Sequence, residues 1–385
     1  MALKTNSHLT RTALTLIVIL SLTGAAIAVE HHFAGSAQLD YLLVPTRDDG
    51  RAITLDGFTG ELSLKLTADV TEEVSVHVKT CYGCHGFEIG MSFVDVSLHD
   101  ALTFRVGRFS PSFGDFPVRH DPANHRTSDK PLPYDMGRML RLRDWNMSVL
   151  PAPYVDNGIE VRGQHYGEVV DFEYAVSVFG GLRGSRGAMD VDFTQSRSGN
   201  LYYVDNNSTP SFGGRLALGF ALGDVGTLKL GSSAMYGTYD PDNELDYLIL
   251  GADLSMRLDD FTLRAEYLIR RTEMTLGDSP HETLHYGPGE DGVYDPYFLK
   301  DGWYLEAEYD VSDDWTVVGR FDGMRRLGNV PVGSKLRKKS LVFRYTVGAH
   351  WQAHSHVSLK LSAELYDFSD FDDEAAIHTG VVGRF

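Results

Sequence analysis

Apolar and polar residues alternate with a period of two along most of the chain from residue 33 to its end. In 261–270, Phe261, Leu263, Ala265, Tyr267 and Ile269 share one face, and Thr262, Arg264, Glu266 and Arg270 share the other. Segment 356–366 sets Val357, Leu359, Leu361, Ala363 and Leu365 against Ser358, Lys360, Ser362 and Glu364. Segment 303–311 sets Trp303, Leu305, Ala307 and Tyr309 against Tyr304, Glu306, Glu308 and Asp310. Each reads as a strand with one apolar and one charged face. Roughly sixteen such segments follow one another: 33–44, 58–70, 73–81, 87–98, 101–109, 157–166, 169–180, 211–222, 226–238, 246–258, 261–274, 301–311, 315–326, 339–353, 356–368 and 375–385.

A soluble sandwich would also alternate, but its strands average ~5–6 residues. These run about 9 to 14, the length that crosses a bilayer at a tilt. Trp303, Trp315 and Trp351 lie near strand ends on the apolar face, where interfacial aromatic girdles stand. The pattern therefore predicts an all-β transmembrane antiparallel β-barrel of about 16 strands. The connections agree, because short links (69–72, 99–100, 167–168, 223–226, 259–260, 312–314, 353–355) alternate with longer ones (45–57, 110–156, 181–210, 239–245, 275–300, 327–338, 369–374). The link between the third and fourth strands, 82–86, departs by being short where a long one is due.

The first 28 residues stand apart. Lys4 and Arg11 precede an apolar stretch from Ala13 to Leu22, and Ala26-Ile27-Ala28 offers small residues at a cleavage position, the layout of a secretory signal peptide. A membrane-anchoring helix is the alternative, but the run is short of the ~20 residues such a helix needs. Residues 29–385 form the expected barrel. With 53 acidic against 35 basic residues, net charge −18, a nucleic-acid partner is excluded, since phosphate binding rests on a basic surface. Two cysteines in so long a chain exclude a disulfide scaffold.

The longest connection, 110–156, lies between the fifth and sixth strands, and in this the chain resembles the sixteen-stranded porins of Gram-negative outer membranes, whose third external loop folds into the lumen. The ending, His378-Thr-Gly-Val-Val-Gly-Arg-Phe385, is similar to the targeting strand of such barrels, with Phe385 as the terminal aromatic and Gly383 where an apolar residue is usual. The resemblance covers the mature chain in pattern and topology, and its feel is closest to phosphate-selective porins. It implies a passive channel in the outer membrane, not an enzyme, without a resident cofactor. The implied partners are outer-membrane lipid and lipopolysaccharide, the barrel-assembly machinery, small hydrophilic or anionic solutes, and further copies of the chain as a trimer.

Between Arg105 and Arg143 eight basic residues (Arg105, Arg108, Arg119, Arg126, Lys130, Arg138, Arg141, Arg143) stand against four acidic ones (Asp115, Asp121, Asp129, Asp135). Together with the resemblance, which implies that 110–156 folds inward, this excess inside an acidic chain makes the loop the candidate constriction. Its arginines then either project into the pore and stabilise passing anions, or pair with Asp and Glu simply to hold the loop.

The only two cysteines sit in Cys81-Tyr-Gly-Cys84-His85, the spacing of covalent c-type haem attachment. Cys81, Cys84 and His85 thus define a second reading, a haem-bearing or cytochrome-docking electron-transfer barrel. A disulfide between Cys81 and Cys84 closing a small loop is the structural alternative. A zinc site there lacks a fourth ligand. A third reading is a barrel plugged by its loop, acting as an adhesin or anchor. Catalysis is least supported, because alternation brings no Ser and His together on the outer wall.

Overall fold

In the computed structural model the described residues are 29–44, 57–83, 86–135, 148–182, 205–274, 286–331 and 336–385. The strands are β1 (Glu30–Leu43), β2 (Phe58–Asp69), β3 (Val74–Gly83), β4 (Gly86–His99), β5 (Leu102–Phe109), β6 (Asp156–His165), β7 (Val170–Phe179), β8 (Ser211–Ala221) and β9 (Gly226–Thr238). There follow β10 (Asp246–Leu258), β11 (Phe261–Glu273), β12 (Tyr286–Gly287), β13 (Tyr297–Asp310), β14 (Trp315–Leu327), β15 (Val330–Pro331), β16 (Lys339–His354), β17 (Val357–Phe368) and β18 (Glu374–Arg384). Sixteen of them pair in sequence order, all antiparallel, and the ring closes between β1 and β18 with Ser36 opposite Arg384 and Leu43 opposite Ile377.

Two differences from the alternation pattern stand out. The strand expected at 301–311 begins at Tyr297, and β12 and β15 form a separate two-stranded sheet. Two-residue strands are too short to show a period, so nothing in the sequence marked them.

Alternation assigns the faces. Leu39, Val347 and Leu361 are more than half exposed on the outside, whereas Ser36, Asp322 and Glu364 are buried on the inside. This reverses the arrangement of a water-soluble protein and matches a barrel whose apolar band meets lipid. On the outer face Trp315 stacks on Trp351 at 5.5 Å, and Trp303 meets Phe321 edge-on at 4.6 Å. The final residue joins the seam: the Phe385 amide donates to the Gly35 carbonyl at 3.1 Å, and its ring lies 5.5 Å from Phe33.

The interior is not uniformly polar. Met235, Ile249, Leu268, Met324 and Val342 belong to a buried apolar cluster. They sit on inward faces towards the long-loop ends of their strands, where alternation alone predicts a wetted wall.

Candidate functional site in the barrel lumen

Inside β5, just before its end, stands a residue that only glycine tolerates, and the segment after the strand runs into the barrel. Gly107 has φ 133°, and a Cβ there would lie 2.5 Å from the Ser92 carbonyl oxygen. Residues 110–135, interrupted by short 3₁₀ turns at Phe116–Arg119, Pro122–Asn124 and Leu132–Tyr134, then run against inward-facing side chains of strands on all sides. Phe113, Phe116, Leu132 and Tyr134 join the apolar cluster of the wall.

Glu266 on β11 is one anchor. Its carboxylate accepts from the backbone amides of Asp115 (3.0 Å) and Phe116 (2.7 Å) and from the hydroxyls of Tyr134 (2.5 Å) and Tyr304 (2.6 Å). Gly114, φ 61°, makes this approach feasible, because a Cβ there would strike the Tyr134 hydroxyl and the Glu266 carboxylate. Glu266→Ala orphans four buried donors at ~1–3 kcal/mol each, less what relaxation and water recover. We expect the folded band on an unboiled gel to convert to the unfolded one at clearly lower temperature than wild type. An unchanged transition would show that the loop is held elsewhere.

A second anchor joins the loop to β2 and β3. Lys79 donates to Asp121 at 2.6 Å and to His120 at 2.6 Å, and Lys65 pairs with the other Asp121 oxygen at 2.6 Å. Burial, reinforced by the Lys79 charge, keeps the His120 imidazole well below its usual value, so it accepts as a neutral ring. Burial alone would push the Asp121 carboxyl up, but the Lys79 and Lys65 charges hold it well below the usual carboxylate range.

The third anchor lies on the opposite wall. Arg344 on β16 donates to Asp322 on β14 at 3.1 Å and to the Lys130 carbonyl at 2.6 Å, and lies 3.5 Å from Asp129. Arg320 donates to Asp322 at 3.0 Å and to Thr127 Oγ1 at 2.8 Å. Lys360 on β17 donates to the carbonyls of Pro122 (2.6 Å) and Thr127 (3.1 Å). These wall residues are almost wholly buried, so the loop spans the lumen rather than lining one side of it.

The arginines singled out in the sequence occupy different places. Arg105 is held bidentately by Asp95 (2.8 and 2.8 Å) and lies 4.1 Å above the Phe93 ring. Arg119 donates to Asp115 at 3.0 Å and to the Tyr304 hydroxyl at 3.3 Å. Arg126 is partly exposed, 3.8 Å from Glu308. Lys130 donates to the Ala152 carbonyl at 2.7 Å, and Arg108 is buried at the end of β5. Arg138, Arg141 and Arg143 lie outside the described residues, as do Cys84 and His85. Cys81 is half-buried near the end of β3, opposite Glu88.

Sequence reasoning missed Arg162, Arg215 and Lys229 as a group. With Asp100, Asp115, Glu173, Ser112 and Tyr174 they line a cavity of about 330 Å³ between the loop and the wall. Arg162 reaches Asp95 at 2.9 Å, so two guanidiniums, Arg105 and Arg162, share one carboxylate. Arg215 is tied to Asp253 and Lys229 to Glu173. The inward direction of each is legible from alternation, but their convergence depends on the curvature of the wall.

No protein-family profile matches the chain, and no curated protein is similar to it in sequence. Among solved structures it is similar to the outer-membrane channel DcaP of Acinetobacter baumannii (TM-score 0.55, 11% identity, covering 94% of this chain and 99% of that one). It is also similar to an anion-selective porin from Comamonas acidovorans (0.53, 13%, 93% and 100%). A third is the trimer form of in-vitro folded OmpT, an outer-membrane protein of Vibrio cholerae (0.52, 9%, 93% and 100%). At such identities the likeness establishes the closed sixteen-strand porin fold.

Proposed function

We propose that this barrel is an outer-membrane porin of a Gram-negative bacterium, a narrow passive channel for small hydrophilic solutes with a preference for anions. The observation that carries the reading is the inversion of polarity: an apolar exterior around a charged interior crossed by a long loop, with a charge-lined cavity left beside that loop. The solved structures of similar fold are outer-membrane channels and porins, and a trimer, the form named for one of them, belongs to the same reading.

The anion preference rests on two guanidiniums that converge beside the cavity, whose own lining carries as many acidic as basic side chains. Arg105 and Arg162 converge on Asp95, and the next carboxylate, Glu160, is engaged by the amide and hydroxyl of Ser112. Arginine clusters in a pore favour anions, most strongly where the passage is narrow and the field least screened. The neighbour titled anion-selective is a precedent for this fold.

The apolar cluster at the long-loop half of the lumen favours a second reading, a plugged barrel that serves as an anchor. A planar bilayer under a salt gradient separates the two. Discrete steps with a reversal potential on the anion side are expected, and Arg162→Glu should move that potential towards the cation side. Steps with cation preference in the wild type would remove the anion claim, and no steps at all would favour the plug.

A further inference from the structure

We propose that Asp129, Glu364 and His378 form a binding site for one divalent transition-metal ion, zinc by its geometry, which fastens the lumen loop to the last two strands. This goes beyond the channel reading and holds whether or not the barrel conducts. The three residues come from the loop, β17 and β18, and each is at most 4% exposed. Their ligand atoms all lie within 4.8 Å of one another.

The spacing carries the argument. His378 Nε2 lies 3.3 Å from Asp129 Oδ2 and 3.5 Å from Glu364 Oε2. Zinc binds imidazole nitrogen and carboxylate oxygen at ~2.0–2.2 Å in a tetrahedron, whose edges are then about 3.3–3.5 Å. A charge-assisted N–H···O bond would be ~2.7–2.9 Å. Consistently, His378 Nε2 completes no hydrogen bond of good geometry, and neither does Glu364 Oε1, although both atoms are buried.

The surroundings fit a cation as well. Arg344, 3.5 Å from Asp129, is engaged by Asp322 at 3.1 Å and by the Lys130 carbonyl at 2.6 Å. Glu364 has no basic neighbour within ion-pair distance among the described residues except His378. Arg344 also donates through Nη1 to Asp129 Oδ2 at 3.5 Å and lies 3.6 Å from Asp135, so one guanidinium serves Asp322, Asp129 and Asp135 while Glu364 meets the imidazole, a deficit of positive charge that a dication fills without requiring the ring to be protonated. The Tyr366 hydroxyl donates to Glu364 Oε2 at 2.6 Å, the kind of outer contact that orients a metal-binding carboxylate. Three protein ligands leave a fourth position for water.

The test uses the full-length folded protein, loaded with zinc, dialysed against metal-free buffer and assayed for bound zinc. Wild type should retain one equivalent more than His378→Gln or Glu364→Gln. Each variant should bind that equivalent at least about 100-fold more weakly, since even outer-shell changes cost ~10–100-fold. Equal zinc in wild type and both variants, as adventitious binding at the exposed Glu30, His32 and Asp69 would give, overturns the proposal. If a variant fails to fold, cobalt in a His32→Gln background, which removes the exposed alternative, decides: the strong visible absorption of a four-coordinate ion with nitrogen and oxygen ligands supports the site, and its absence overturns it.

Discussion

Arg344→Met is expected to detach the lumen loop from β14 and β16 while leaving the barrel ladder intact. The side chain is fully buried and neutralises Asp322 while also holding the Lys130 carbonyl. Methionine fills much of the volume but leaves the buried Asp322 carboxylate with Arg320 as its basic partner. Breaking a buried pair from one side costs ~3–5 kcal/mol. The strands keep every backbone hydrogen bond, so the loss falls on the loop. Brief proteolysis of the folded protein should cut within 111–135 in the variant and spare the wild type. Arg344→Lys should lie between the two, because it restores charge but not the bidentate geometry. Equal resistance in wild type and Arg344→Met would show that the loop does not depend on this anchor.

Replacing 110–155 by a short Gly-Ser link should raise single-channel conductance severalfold. Sixteen-stranded walls leave an aqueous channel when nothing crosses them, and here the loop brings Phe113, Phe116, Leu132 and Tyr134 into the middle of that space. The same change exposes Met235, Ile249 and Leu268 to water, at ~25 cal/mol for each Å² of apolar surface uncovered. The unfolding temperature of the variant should therefore fall. Unchanged conductance would place the ion path away from the loop.

The strand content was legible because a period of two requires only local information. Thr262, Arg264, Glu266 and Arg270 read as inward from the sequence, and the structure buries Glu266 and Arg270 inside. The longest loop was legible by length and by its arginines. The chemistry of the loop was not. Glu266 becomes an anchor only because Asp115, Phe116, Tyr134 and Tyr304 converge on it, and no pattern along the chain brings residues that far apart together. The inward apolar residues Met235, Ile249, Leu268 and Met324 were hidden for the opposite reason: each falls at a position that alternation calls polar, and the apolar side chains of the loop that share their cluster explain it.

The seam between β1 and β18 bears on the order of assembly. Ser36 must find Arg384, the longest loop closure the chain makes, and closures of this kind slow folding. Lys360, which holds the Pro122 carbonyl of the loop, and His378, 3.3 Å from Asp129 of the loop, belong to the last two strands. The loop thus has no complete seat until the C-terminus arrives, and a ring that shuts without it would have to admit it through an end. Docking of the loop and locking of the seam are therefore one late event, and a chain stalled before it presents a curled sheet with two open edges.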